Sequence, residues 1–213
     1  IIVDEGQDFL EQYWIALGSL LKKDGYFYIF FDNNQNLFQG STSFGGLVTE
    51  QPFELYENCR NTKLIHETVR QFHNNPTSLI SYAPDGIAPE WITYKNSDAM
   101  KQVLSKTLHR LVTNENVKSR DIAILTPMGD ARTILKPGTT LGNFRLVERS
   151  SSLQTDIMVS SIQRFKGLEK RVVILTEIDP VDYKDLEMLL YVGCSRARTH
   201  LIVLRNESVS IRN

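Results

Sequence analysis

Two adjacent carboxylates, Asp4 and Glu5, directly follow a run of branched apolar residues at positions 1–3. The run predicts a short strand buried on both faces, as in a parallel sheet. In open α/β sheets, ligands bind at the carboxyl ends of strands, where one carboxylate can hold Mg²⁺ and another can orient or deprotonate a water molecule. The alternative is that Asp4, Glu5 and Asp8 cap the next helix, because acids favour a helix N-terminus. This stretch alone supports both interpretations.

Four further polar groups follow at other predicted strand ends or helix starts. They lie at residues 32–35, at Arg60, at residues 163–169, and at Ser195 and Arg196. Their residue types suit a nucleoside triphosphate, which needs carboxylates for Mg²⁺ and water, an amide for the terminal phosphate, and arginines for transition-state charge. Each group alone is weak evidence for such a site, because a lone Arg near a helix start is usually a solvated surface residue. The order of all five groups along the chain is far more specific evidence for a nucleotide site.

Alternating strand and helix patterns must position these groups. Apolar, β-rich runs predict strands at 1–3, 26–31, 53–56, 91–94, 122–127, 158–162, 172–176 and 201–204. Helical spacing predicts helices at 8–23, 63–74, 97–112, 130–136 and 185–197. Asp8 is expected to cap the first helix, and Asn96 or Ser97 the third. The first helix is expected to turn inward Phe9, Tyr13, Leu17, Leu20 and Leu21. This alternation is the pattern of a parallel α/β fold.

Length and composition narrow the class of protein. The chain has 213 residues, which suggests one large domain or two modest ones, and its net charge of −1 gives no global basic field for nucleic acid. Cys59 and Cys194 have no metal-ligand spacing and fit a reducing, cytoplasmic setting. No apolar run reaches the roughly 18 residues of a membrane span. Because Ile1 begins inside a predicted core strand, we expect a fragment whose upstream part is absent.

Five segments resemble the motifs of superfamily 1 DNA helicases of the UvrD/Rep type. Residues 3–8, VDEGQD, resemble the Walker B motif, DExxQD, and residues 31–38, FDNNQNLF, resemble the third motif. Residues 55–62, LYENCRNT, are similar to the fourth motif, L-x-x-N-Y-R-S-T. Residues 159–169, VSSIQRFKGLE, and 190–198, LYVGCSRAR, are similar to the fifth and sixth motifs, T-x-H-x-x-K-G-L-E and Y-V-A-x-T-R-A. The five segments occur in the family's order.

The resemblance implies two RecA-like P-loop NTPase lobes, each a parallel sheet flanked by helices, with ATP in the cleft between them. Residues 1–57 would be the C-terminal remnant of a truncated first lobe. Residues 58–213 would be a complete second lobe that lacks the large insert of bigger family members. The implied role of Asp4 is to help hold Mg²⁺ and, with Asp32, to bind the nucleotide. Glu5 would be the general base for the attacking water, and Gln35 would contact the terminal phosphate.

The second lobe would supply the remaining groups by the same comparison. Arg60 and Arg196 would act as arginine fingers, which are worth about 10³–10⁵ in rate in related phosphoryl-transfer enzymes. Gly167 and Glu169 would lie near the ribose and phosphates.

The resemblance also implies contacts with a nucleic-acid strand. Ser161 and Gln163 would lie near the face that contacts the strand. Arg164 and Lys166 supply the positive charge that single-strand binding needs. Single-stranded DNA is the expected partner, with RNA as the alternative.

Three departures from the family pattern affect these expectations. The Gly-rich Walker A loop, G-x-x-x-x-G-K-[ST], does not occur in these residues, and the Gly-rich stretch at 40–46 lacks its Lys. The chain as given is therefore not expected to hydrolyse ATP, and an upstream lobe is expected to carry that loop. Gln163 stands where many members have His, and Ser161 where they have Thr.

Two functions from different classes remain open. The parent protein is expected to be an ATP-dependent DNA helicase or translocase that moves on single-stranded nucleic acid. The alternative is a non-catalytic module that binds nucleic acid or a partner and has lost hydrolysis. The upstream sequence discriminates them, since a missing Gly-Lys-Ser/Thr would favour the second.

Overall fold

The computed structural model describes residues 1–32, 35, 44–48, 51–73, 79–129, 131–181 and 186–211. The chain divides into two compact units, Ile1–Tyr56 and Glu57–Asn213, called unit 1 and unit 2 below. This division falls one residue before the predicted boundary at residues 57 and 58. None of the helices in the described part of the chain is long and apolar enough to cross a membrane.

Unit 1 is built on a strand–helix–strand segment. Strand β1 (Ile2–Val3) leads through a 3₁₀ turn (Gly6–Asp8) into helix α1 (Glu11–Leu20), and strand β2 (Tyr28–Ile29) follows. The two strands are parallel, as the sequence predicted, with Val3 opposite Ile29. Both strands therefore end at the same edge of the sheet, which places the polar residues after them on one side.

One face of the unit 1 sheet packs on an aromatic core. Val3, Trp14 and Phe44 are buried there, and Phe9 and Leu17 pack against them. The opposite face is exposed: Ile2, Tyr28 and Phe30 have 74%, 55% and 53% of their surface in solvent. Because successive strand side chains point to opposite faces, a sheet covered on one side cannot bury the whole run. The prediction of a strand buried on both faces is therefore wrong.

Helix α1 differs from its prediction at its start and on its inner face. It begins at Glu11 after Leu10, with no side-chain cap, while Asp8 lies in the preceding 3₁₀ turn. The predicted Asp8 cap is therefore wrong, and the acids at 4–8 do not cap this helix. Trp14 is the buried residue of the helix, while Tyr13 and Leu20 are exposed. The predicted inward face is therefore right for Phe9 and Leu17, which pack against this core, and wrong for Tyr13 and Leu20, while the buried Trp14 was not predicted.

The predicted strand at 53–56 is also wrong. These residues form no strand, and Phe53 and Leu55 are 90% and 74% exposed. The nearest pairing is a single parallel bridge between Glu57 and Ile80, within unit 2. β propensity alone does not make a strand where no neighbouring strand pairs with it.

Unit 2 contains a seven-stranded sheet with the order β3-β9-β8-β4-β7-β6-β5. Its neighbours are parallel except for the antiparallel pair β5 and β6. The strands are β3 (Glu90–Tyr94), β4 (Ile122–Thr126), β5 (Thr140–Leu141), β6 (Phe144–Val147), β7 (Asp156–Ser161), β8 (Lys170–Ile178) and β9 (Ala197–Asn206). The predicted parallel α/β architecture is confirmed here.

In the described part of unit 2, three α-helices flank this sheet: α2 (Lys63–Arg70), α3 (Ser97–His109) and α4 (Leu186–Ser195). Helix α3 buries Met100, Leu104 and Leu108 in the main core and continues as a π-helix, Arg110–Asn114. The predicted Asn96 cap is confirmed, because its side chain accepts a hydrogen bond from the Ala99 backbone N–H. Strand β4 is buried at all five residues, as expected for a strand covered on both faces.

The predicted helix at 130–136 is wrong for its described residues, which form turns. A buried carboxylate, Glu177, accepts hydrogen bonds from the Thr133 hydroxyl (2.6 Å) and the Ile134 backbone N–H (2.8 Å), which ties this loop to β8. The sequence patterns did not predict strands β5 and β6. The predicted helix start at Asp185 and the residues Asn33, Asn34 and Asn36 lie outside the described residues.

Candidate nucleotide and nucleic-acid sites

The chain turns sharply directly after β1, at the candidate general base. Glu5 has φ 53° and ψ 42°, the left-handed region. That conformation costs a non-glycine residue roughly 1–2 kcal/mol, and such strain concentrates at functional sites. A side chain is disfavoured at the next residue, because a Cβ on Gly6 would lie 2.6 Å from Ile29 Cγ2. The turn holds the Gly6 backbone close to the end of β2, where its N–H donates to the Phe30 carbonyl (2.9 Å).

A buried amide, Gln7, connects the ends of the two strands. Its Nε2 donates to Glu5 Oε2 (2.5 Å), and its Oε1 accepts from the Asp32 backbone N–H (3.0 Å). Gln35 Nε2 in turn donates to Asp32 Oδ2 (2.8 Å). The structure thus brings together three predicted site residues, Glu5, Asp32 and Gln35. Gln7 was not predicted, although it is the Gln of the DExxQD pattern.

Asp4 stands apart from this network as an exposed carboxylate. Its Oδ1 accepts the Glu5 backbone N–H (2.9 Å), and the side chain faces solvent. The described residues contain no group of three or more His, Cys, Asp or Glu that could hold a metal ion. A Mg²⁺ that arrives with a nucleotide needs only one or two carboxylates, because phosphates and waters complete its shell. Asp4 follows β1 and Asp32 follows β2, so these two carboxylates come after neighbouring parallel strands that end at the same edge.

In unit 2, Arg60 lies in a surface ion-pair cluster. Its Nε lies 3.1 Å from Glu169 Oε2, and Arg198 Nε lies 3.4 Å from Glu169 Oε1. The side chains of Arg60 and Glu169 are each 41% exposed, so the pair is screened and contributes little to stability. The structure therefore places two predicted site residues, Arg60 and Glu169, side by side.

Arg196 has a different environment from Arg60. It is 1% exposed, and its guanidinium donates to the Val192 carbonyl (3.1 Å) and the Ser195 hydroxyl (2.8 Å). It follows helix α4, which approaches the sheet closely at Gly193, where a Cβ would lie 2.9 Å from Leu175 Cδ2. The close helix–sheet contact and these hydrogen bonds fix the position of the Arg196 side chain.

The turn after β7 carries the other predicted site residues. Ser161 accepts the backbone N–H of Arg164 at its hydroxyl (3.3 Å), and its carbonyl accepts that of Phe165 (3.0 Å). Phe165 is 1% exposed and belongs to the core, so it offers no stacking face. Gly167 has φ +78°, the left-handed region, and an added Cβ there would meet no atom within 4 Å. Backbone conformation rather than space therefore favours glycine at this turn.

A cleft of about 320 Å³, lined by both polar and apolar residues, opens at the carboxyl ends of β4 and β7. Four hydroxyl side chains and two cations line it: Thr126, Thr133, Ser160, Ser161, Lys136 and Arg164. Arg164 also lies 3.6 Å from Glu148, another lining residue. Gln163 and Lys166 are not among the residues that line this cleft. Hydroxyls and cations together are the groups that bind phosphodiester oxygens.

Comparisons with known proteins agree with the predicted class. Residues 156–204, from β7 to β9, match the family model of the UvrD-like helicase C-terminal domain. This match contains the whole of the fifth and sixth motif segments, and it confirms the predicted resemblance to UvrD-type helicases. The comparison with curated proteins gives no match.

Two solved structures show the same fold. The C-terminal domain of a possible DNA helicase from Lactobacillus plantarum WCFS1 is 21% identical with a TM-score of 0.50, and the match covers 71% of this chain and 89% of that one. The PRRSV helicase is 14% identical with a TM-score of 0.53, and the match covers 96% of this chain and 34% of that one. The predicted RecA-like fold class, a mostly parallel sheet flanked by helices, is confirmed.

Proposed function

We propose that this chain is part of an ATP-dependent DNA helicase or translocase that couples ATP hydrolysis to movement along single-stranded DNA. The observation that carries the proposal is the network in which Gln7 joins Glu5 to Asp32, with Gln35 bonded to Asp32 in turn. It holds an acid and an amide at the carboxyl ends of two parallel strands, where α/β sheets bind ligands. The UvrD-like match in unit 2 supports the same class.

Each side chain has a definite role in this proposal. The Glu5 carboxylate accepts a proton from the water that attacks the terminal phosphorus, and Gln7 fixes that carboxylate by its hydrogen bond. Gln35 senses the terminal phosphate, and Arg60 offsets the charge that develops on it. Asp4 and Asp32 would hold Mg²⁺, which neutralises phosphate charge when it is bound.

The remaining predicted groups serve binding. Gly167 and Glu169 would lie near the ribose and phosphates, and Arg196 would act beside Arg60. The hydroxyl-lined cleft with Lys136 and Arg164 would bind the DNA backbone. The chain by itself is proposed to be inactive, because it lacks the Gly-Lys phosphate cradle. We also propose a cytoplasmic location, which the two free cysteines support.

Steady-state ATPase of the full-length parent with Glu5→Gln tests the catalytic assignment. Loss of the general base is expected to lower kcat by about 10²–10⁴-fold. Glu11→Gln is the matched control, since Glu11 is an exposed acid at the start of α1, and it should retain wild-type kcat. Equal activity of Glu5→Gln and wild type would contradict the proposal. A well-folded parent with no turnover would favour the non-catalytic module instead.

Binding of a fluorescent oligo(dT) to the full-length parent tests whether the cleft contacts the DNA backbone. Lys136→Ala should weaken binding at all salt concentrations and reduce the slope of log K against log salt by about 1. Lys118→Ala, an exposed lysine that does not line the cleft, is the control and should leave both quantities unchanged. Identical salt slopes for Lys136→Ala and wild type would exclude a phosphate contact at this residue.

A further inference from the structure

We infer that Asn61 is a positioning residue that fixes the backbone around Arg196 relative to the backbone around Arg60. The inference rests on the proposed function, in which both arginines act on ATP. It adds a residue that the helicase motif does not specify, because that motif has Ser where this chain has Asn61.

The side chain of Asn61 donates hydrogen bonds to the carbonyl groups of the residues on both sides of Arg196. Asn61 is 2% exposed, and its Nδ2 donates to the Ser195 carbonyl (3.0 Å) and to the Ala197 carbonyl (2.5 Å). These carbonyls belong to the residues immediately before and after Arg196. One amide nitrogen therefore uses both of its hydrogens to hold the turn from α4 into β9.

A second asparagine extends this connection to Arg60. Asn58 Oδ1 accepts the backbone N–H of Arg60 (2.9 Å) and of Asn61 (3.1 Å). Asn58 Nδ2 donates to Asn61 Oδ1 (2.8 Å). An unbroken chain of hydrogen bonds thus runs from the Arg60 backbone through two carboxamides to the peptides that flank Arg196. A further backbone bond, from Thr62 N–H to the Arg198 carbonyl (3.1 Å), holds the same two segments together.

The chemistry of the carboxamide explains why Asn suits this position. It presents two donors on one nitrogen and an acceptor on the adjacent oxygen, and all three are used here. A serine has one donor, so it cannot hold both carbonyls at once. An aspartate has the same shape but no donor, and it would place a carboxylate against two carbonyl oxygens. Small displacements of a catalytic group, near 1 Å, cost about 10²-fold in rate.

The test uses ATPase of the full-length parent carrying Asn61→Asp, Asn61→Ser and Arg196→Ala, alone and combined. Asn61→Asp should lower kcat by about 10–100-fold with the KM for ATP nearly unchanged, and Asn61→Ser should fall between it and wild type. If Asn61 acts through Arg196, Asn61→Asp should cost nothing further in the Arg196→Ala background. The control Asn96→Ala removes a helix cap in the same unit and should retain wild-type kcat.

Hydrogen exchange on this chain gives a readout that does not depend on hydrolysis. Asn61→Asp should speed exchange in peptides covering 58–62 and 193–198 together, whereas Asn96→Ala should not. Multiplicative losses in the double variant, or unchanged exchange at 193–198, would overturn the inference. A wild-type parent without ATPase would instead refute the proposed function, while the exchange result would still decide whether Asn61 couples the two segments.

Discussion

Units 1 and 2 both contain parallel strands, yet they bury them very differently. In unit 2, β4 is buried at all five positions, and β8 is buried from residue 172 to residue 178. In unit 1, β1 and β2 bury one face and leave Ile2, Tyr28 and Phe30 largely exposed. A parallel sheet normally needs cover on both faces. The comparison indicates that the unit 2 sheet is buried on both faces, while the unit 1 sheet is buried on one face.

The candidate sites in the two units are organised differently as well. In unit 1 one buried amide, Gln7, links the Glu5 carboxylate to the Asp32 backbone N–H through hydrogen bonds. In unit 2 Arg60 is held through its backbone N–H and by a screened ion pair with Glu169, while the buried Arg196 guanidinium donates to the Val192 carbonyl. Substitutions of surface arginines should therefore change activity without changing stability, whereas substitutions in the unit 2 core should do the reverse.

The largest effect is expected from Arg60→Ala in the parent protein. If Arg60 is the arginine finger that we propose, its removal should lower nucleic-acid-stimulated kcat by about 10³–10⁵-fold. The melting temperature should barely change, because the ion pair with Glu169 is exposed. Arg198→Ala is the control, since Arg198 contacts the other oxygen of the same carboxylate, and it should lose little activity. Equal losses for the two arginines would contradict the assignment.

Leucine truncations sharpen the contrast in burial. Leu104 is fully buried in the unit 2 core, so Leu104→Ala should lower the free energy of unfolding by about 2–5 kcal/mol. Leu20, on α1 of unit 1, is 71% exposed, so Leu20→Ala should change the free energy of unfolding by less than about 0.5 kcal/mol. Urea denaturation followed by circular dichroism measures both. A loss for Leu20→Ala that matched the loss for Leu104→Ala would refute the description of unit 1.

The next largest expected effect is a loss of stability on substitution of Gly86, which lies beside helix α2. The Lys63 and Leu64 backbone N–H groups at the start of α2 donate to the carbonyls of Pro84 and Asp85. Gly86 follows with φ +72°, and a Cβ there would lie 2.4 Å from Thr62 Cβ. Gly86→Ala should therefore destabilise unit 2 by about 1–3 kcal/mol, combining backbone strain with a clash.

Gly138→Ala separates the two contributions in that experiment. Gly138 has φ +90°, but a Cβ there would meet no atom within 4 Å. Only the backbone strain applies, so thermal melting should show a smaller loss than for Gly86→Ala. The reverse order would show that the contact with Thr62 is not the cause.

The smallest expected effect is on the pH dependence of stability and involves one carboxyl group of unit 2, that of Glu90. Burial alone would raise the pKa of Glu90, but hydrogen bonds from Arg110 and His200 outweigh it and hold that pKa below its ordinary value of 4.5. A carboxyl whose pKa is lowered by folding stabilises the protein above 4.5, and this contribution is lost as the pH falls below that value. This loss falls within about pH 7 to pH 3. Over that range, the melting temperature of Glu90→Gln should decrease less steeply with falling pH than that of the wild type. Parallel curves for variant and wild type would refute the assignment.

Sequence patterns predicted the unit 2 sheet well because its strands are long apolar runs. Strands β3, β4, β7, β8 and β9 were all anticipated, and so was the Asn96 cap. The loop at 131–135 was mistaken for a helix because local propensity does not reveal its tie to Glu177, more than 40 residues away. The role of Gln7 was equally hidden, since it depends on two strand ends meeting in space.

The most direct test of the central claim is the rate of ATP hydrolysis by the full-length parent as single-stranded DNA is added. The account predicts strong stimulation that saturates with DNA and that Glu5→Gln and Arg60→Ala both abolish. A folded parent that binds single-stranded DNA but hydrolyses no ATP at any DNA concentration would contradict it.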